Sequence, residues 1–149
     1  MDYLNRHAPA LQALAAILTV ILALGALVGV KMQIDAADRI QRAQSARDIY
    51  REFLNLSIGK PEFLAPDYCA IAKTPQAPAY EAYVDYLLYT AEQTMAADAG
   101  WEETMMAALD HHGTYLCGLD DGTDETADVQ ELLARFRAAR CAEVKRCSP

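Results

Sequence analysis

The side chains that could bind a metal ion or act as general acids and bases fall in two short stretches. Asp110, His111 and His112 are consecutive, and the acidic run DDGTDE occupies residues 120–125. Neighbouring residues on a helix point about 100° apart, so His111 and His112 are poorly placed to share one ion. The acidic run lacks the alternating acids and the terminal Glu of a calcium loop. We therefore expect no metal, no cofactor and no catalytic residue, and predict that the protein is not an enzyme.

Four cysteines are the other candidates for chemistry: Cys69, Cys117, Cys141 and Cys147. Their spacing matches neither a metal-binding motif nor a redox CxxC pair. An even number suits two disulfides in an oxidising compartment, whereas buried free thiols also serve as small apolar side chains. A Cys69–Cys117 bridge is one option. A Cys141–Cys147 bridge would require the last helix to end before Cys147, near Lys145.

A stripe of tyrosines recurs at three-residue spacing on one predicted helix: Tyr80, Tyr83, Tyr86 and Tyr89. Such a stripe is typical of a protein core whose hydroxyl groups reach the boundary with solvent. The alternative is an aromatic face or pocket that recognises a ligand. The sequence favours the core and leaves the aromatic face open.

The element around which the chain is organised is the apolar stretch Ala8–Val30, which runs for twenty-three residues without a charge. As a helix it spans about 34 Å, enough to cross a hydrocarbon core of about 30 Å. It is longer than the apolar region of a signal peptide, usually about 7–15 residues, and no small-x-small cleavage site follows it. We predict a transmembrane helix, preceded by an N-terminal tail over residues 1–7.

Small residues mark one side of this helix. Gly25, Ala26 and Gly29 form a GxxxG pattern, which lets two helix backbones approach closely within lipid. We predict that they form a helix-packing interface. The expected partners are the lipid bilayer and other membrane protein subunits, in a hetero-oligomer or a homo-oligomer.

Beyond the membrane, the helix is predicted to continue over residues 31–59, since neither Pro nor Gly interrupts it before Gly59. Its apolar residues recur at helical spacing and form an amphipathic stripe. Gly59 with the following Lys60-Pro61 ends the helix. The fold class is therefore all-α: one long N-terminal helix followed by a small bundle of about three more helices.

Residues 60–149 are predicted to form an acidic helical domain with a basic C-terminal end. The first two of its helices are expected at about residues 79–97 and 101–116. Thr123 or Asp124 is expected to cap the last helix, because both side chains can accept a hydrogen bond from the first turn.

Charge limits the partners and the location of the chain. Residues 60–133 carry fifteen acids and only two lysines, so this part of the protein repels nucleic acid.

One fixed positive charge precedes the apolar stretch, at Arg6, and five follow it within residues 31–51. The positive-inside rule therefore places the C-terminal domain in the cytoplasm of a bacterium. The four cysteines favour the periplasm, and this alternative stays open.

Two segments carry a resemblance to a known group of proteins. ARDIYREFLNLSIGKPEFLAPDYC and YEAYVDYLLYTAEQ resemble a loosely defined group of uncharacterised bacterial single-pass membrane proteins. The resemblance covers roughly residues 10–95 and implies one N-terminal transmembrane helix and a Tyr-rich second helix, with no activity attached.

The function predicted from these features is a non-catalytic accessory or scaffold subunit of a bacterial inner-membrane complex, docking through its transmembrane helix. The alternative is a small homo-oligomeric sensor or regulator anchored in the membrane.

Overall fold

The computed structural model describes residues 2–119, 126–145 and 147 of the 149-residue chain, with side chains from Gln12 onward. All regular secondary structure within these residues is helical, which confirms the all-α class. The described α-helices are α1 (Asp2–Gly59), α2 (Tyr68–Ile71), α3 (Ala77–Ala97), α4 (Glu102–Asp110), α5 (Gly113–Leu116) and α6 (Ala127–Arg140). Short 3₁₀ helices cover Pro61–Phe63 and Ala99–Trp101.

The chain divides into two compact units, Met1–Gln41 and Arg42–Pro149. The first unit is the N-terminal part of α1, whose backbone is helical from Asp2. From Gln12 onward this helix is long and apolar enough to cross a membrane. The backbone groups in the interior of a helix form hydrogen bonds within the helix, which is what a lipid environment requires.

The second unit is built around α3. Its buried face includes Tyr80, Val84, Leu87 and Ala91, which pack against apolar side chains from α1, α4, α5 and α6. Tyr80 of α3 and Phe136 of α6 are the largest fully buried side chains among the described residues. An apolar face at helical spacing on every packed element explains why this sequence forms a single core here.

The C-terminal end of α1 and α3 run antiparallel. Ser57 Oγ lies 2.8 Å from Tyr83 Oη, whereas the earlier residues Ala46 and Ile49 line a groove with Gln93 of α3. Helix α1 ends at Gly59, as predicted, and Pro61 opens the 3₁₀ helix that follows. Proline lacks a backbone N–H and is compatible with a first helical turn.

The single helix predicted over residues 101–116 is wrong, because the chain turns at His111 and His112 between α4 and α5. Gly113 is buried at this turn, where a Cβ atom would lie 3.1 Å from Val144 Cγ2. The absence of a side chain at Gly113 therefore lets the C-terminal segment pack over the turn.

Helix α6 is capped by Thr126, whose hydroxyl accepts a hydrogen bond from the backbone N–H of Val129. The predicted capping residues Thr123 and Asp124 lie outside the described residues. The Thr126 hydroxyl also donates to Glu92 Oε1 over 2.5 Å, so the residue that starts α6 fixes it to α3. At the other end of the helix, Arg140 pairs with Asp110 at 2.9 Å.

Candidate functional site

From Gln12 onward, the apolar segment of α1 is exposed on every side in the single chain. Leu18, Ile21 and Leu24 each expose more than half of their surface. A Cβ atom added at Gly25 or Gly29 would meet nothing within 4 Å outside the helix. A continuous apolar surface of this size is stable only against lipid or another protein. The predicted helix-packing residues Gly25, Ala26 and Gly29 are thus accessible to a neighbouring helix.

The four tyrosines of the predicted stripe have two different environments. Tyr80 and Tyr83 are buried in the core. Tyr86 is half-buried, with its hydroxyl 3.4 Å from Glu52 Oε2, and Tyr89 is 48% exposed. The four side chains therefore do not form one exposed aromatic face.

His112 is the buried ionisable group at the centre of an aromatic cluster. Its Nδ1 lies 3.0 Å from Tyr80 Oη, and its ring centroid is 5.7 Å from those of Tyr80 and Tyr83. Burial, with a smaller contribution from the charge on His111, lowers the pKa of His112 to about 4. Burial, with smaller contributions from the neighbouring tyrosines, raises the pKa of Tyr80. Both groups are therefore neutral near pH 7 and form a structural hydrogen bond.

The cysteines form two pairs with disulfide geometry, Cys69–Cys147 and Cys117–Cys141. Their Cα atoms are 5.4 Å and 5.6 Å apart, within the usual range for a disulfide. The pairings considered from sequence, Cys69–Cys117 and Cys141–Cys147, are both wrong. Helix α6 ends at Arg140, which lets Cys141 reach Cys117 and leaves Cys147 free to reach α2. Cysteine spacing alone carries no signal for this connectivity.

Two of the shallow grooves beside α3 in the second unit are adjacent to each other. The groove between α3 and α6 has a volume of about 200 Å³ and is lined by carboxylates and by Met95 and Leu132. The groove between α1 and α3 has a volume of about 190 Å³ and is lined by Arg42 and by small and apolar side chains. Ala96 belongs to both, so the two grooves are adjacent.

The residues with metal-binding chemistry are dispersed. Asp110 pairs with Arg140, His112 is buried against Tyr80, and His111 is exposed. Among the described residues, no three His, Cys, Asp or Glu side chains are grouped to hold an ion. The acidic run at 120–125 lies outside the described residues.

No protein-family model matches the chain, and no curated protein or solved structure shows significant similarity to it.

Proposed function

We propose that the protein is a single-pass membrane protein that serves as a non-catalytic accessory or scaffold subunit of a bacterial inner-membrane assembly. The observation that carries the proposal is the apolar segment of α1, whose large side chains are exposed from Gln12 onward. In this proposal, lipid covers most of that segment, and a helix of a larger subunit packs on Gly25, Ala26 and Gly29. Close backbone contact at small residues gains dispersion energy that lipid chains replace poorly.

The domain that starts at Arg42 is assigned here to the oxidising side of the membrane. Disulfides persist in the periplasm and are rare in the cytoplasm, and all four cysteines have a partner at disulfide distance. This location opposes the side that the positive charges after the apolar stretch favour. The positive-inside rule rests here on a difference of a few charges. The two cysteine pairs are two separate observations in the folded domain, so we give them more weight.

The alternative, a homo-oligomeric sensor or regulator, is supported by the same accessible glycines, since two identical helices can pack on a GxxxG pattern. The two functions differ in composition: the complex of an accessory subunit contains a different chain, whereas the complex of a sensor contains identical chains alone.

Gentle purification from the native membrane, followed by intact-mass measurement of the complex, tests the proposal. We expect a stoichiometric larger partner and, without reductant, no cysteine that reacts with an alkylating reagent. Replacing Gly25 and Gly29 with Leu should remove the partner. Ala16→Leu with Ala23→Leu is the matched control, because these residues lie on the opposite side of the helix at about 100° per residue. Recovery of the partner with the glycine variant would contradict helix docking, and free thiols would contradict the periplasmic location.

A further inference from the structure

The two grooves beside α3 carry opposite charges that the described part of the chain leaves unpaired. Asp128 and Glu131 are exposed at the groove between α3 and α6, and neither forms an ion pair or hydrogen bond with another described side chain. Arg42 is exposed at the groove between α1 and α3, and it too forms no ion pair or hydrogen bond with another described side chain. By contrast, Arg135, which also lines the acidic groove, is neutralised by Glu102 at 2.7 Å.

Between these charges the surface is narrow and weakly polar. Ala96 lies where the grooves meet and Ala97 lines the basic groove beside it, with Met95 on the acidic side and Ile49 on the basic side. Small side chains at the crest of a helix let another helix approach at the short end of the usual interaxial distance of about 8–10 Å. The surface thus has an apolar centre, an acidic edge and a basic edge.

We propose that this surface binds a second copy of the chain about a two-fold axis that runs along α3. Rotation about such an axis places the basic groove of each copy over the acidic groove of the other. Arg42 then faces Asp128 and Glu131 of the second copy, and symmetry forms this contact twice. The inference does not depend on the proposed membrane partner, since every residue involved lies in the unit that starts at Arg42.

A second copy fits the surface better than an unrelated partner for two reasons. The surface carries both an acidic groove and an exposed cation, so it is complementary to a copy of itself, and this contact attracts even though two chains of net charge −8 otherwise repel each other. The end of α1 is antiparallel to α3. An axis along α3 therefore keeps α1 of the two copies parallel, with both Arg42 ends at the same end of the dimer. This second reason rests on the proposed membrane anchor, since two chains anchored in one membrane require this arrangement.

A charge exchange between two differently tagged full-length chains in detergent tests the proposal. Arg42→Glu alone and Glu131→Lys alone each create two repulsive contacts and should raise the dissociation constant of the dimer about tenfold or more. When the two variants are mixed, one contact of the heterodimer joins the two exchanged charges and the other keeps the original Arg42 and Glu131, so the charges have opposite sign at both contacts. A heterodimer of the two variants should therefore form at close to wild-type affinity, measured by native mass spectrometry over a concentration series.

Arg47→Glu and Glu103→Lys are the matched controls, because both side chains are exposed and lie outside the two grooves. These variants should dimerise like the wild type. A wild-type chain that stays monomeric, or single reversals that leave the dimer unchanged, would overturn the proposal. The charge-reversal experiment is then repeated in chains that also carry Gly25→Leu and Gly29→Leu. This distinguishes the dimer contact beside α3 from helix docking in the membrane. Loss of a membrane partner without loss of the charge-dependent dimer would affect the proposed function alone.

Discussion

The two units of this chain achieve stability by different means. In the described part of the N-terminal unit, the large apolar side chains of α1 are exposed, and the helix relies on its own hydrogen bonds. In the unit that starts at Arg42, the apolar side chains are buried, and two cysteine pairs cross-link the chain. The first unit needs lipid or another protein to cover its apolar side chains, whereas the second unit buries its apolar side chains in its own core.

This difference indicates which changes each unit tolerates. A helix in lipid loses stability when a charge enters its apolar surface, because no water reaches the charge there. A small domain with a modest core loses stability when a cross-link or a buried contact is removed. Each change should therefore act on one unit and leave the other intact.

The largest expected effect is on membrane insertion. Leu18→Arg with Ile21→Arg puts two guanidinium groups in the middle of the apolar segment, at about 2.5–3.5 kcal/mol each on an insertion scale. We expect the chain to be released from the membrane by alkaline extraction. Leu54→Arg with Leu64→Arg, at exposed apolar positions of the second unit, is the control and should leave the chain in the membrane fraction. Retention of the first variant would contradict a membrane-spanning segment.

The next effect concerns the two cysteine pairs. Cys69–Cys147 closes a separation of 78 residues and Cys117–Cys141 one of 24, so loop entropy predicts losses of about 4.5 and about 3.5 kcal/mol when each is removed. Replacing each pair with Ser should lower the urea midpoint of the domain, more strongly for Cys69–Cys147. Fluorescence of Trp101, whose ring centroid lies 5.0 Å from that of Tyr50, reports the unfolding.

Membrane retention is the control for both cysteine variants and should not change. Equal midpoints with and without reductant in the wild-type protein would contradict the cross-links. A larger loss on removal of Cys117–Cys141 would show that loop length does not determine the order.

The sequence predicts the parts of the fold that depend on local patterns. The all-α class, the end of α1 at Gly59 and the extent of α3 follow from hydrophobic spacing and from Gly and Pro at the boundaries. The break between α4 and α5 was missed from the sequence even though Gly113, a poor helix former, lies beside it. The packing of Val144, thirty-one residues further along the chain, against Gly113 is a long-range contact that local patterns do not show.

The same limit applies to the candidate sites. The accessible glycines are visible in the sequence as GxxxG, whereas the partner of His112 is not. Helical spacing brings His112 close to Tyr115, but its Nδ1 instead contacts the hydroxyl of Tyr80, thirty-two residues earlier. The cysteine pairs likewise depend on where α6 ends, which the sequence leaves uncertain by a full turn.

The smallest expected effect is the pH dependence of the domain. The unfolded chain binds a proton at His112 near pH 6.5, whereas the folded chain does so only near pH 4. Between these values the unfolded state binds more protons, so His112 reduces stability as pH falls, by up to about 1.4 kcal/mol per pH unit. His112→Gln should make the urea midpoint depend less on pH over this range. His111→Gln, at an exposed neighbouring residue, should keep most of the pH dependence. No ionisable side chain lies in residues 12–30, so membrane retention should be the same at pH 7 and pH 5. An unchanged slope in His112→Gln would show that the buried imidazole is not the group whose protonation destabilises the fold.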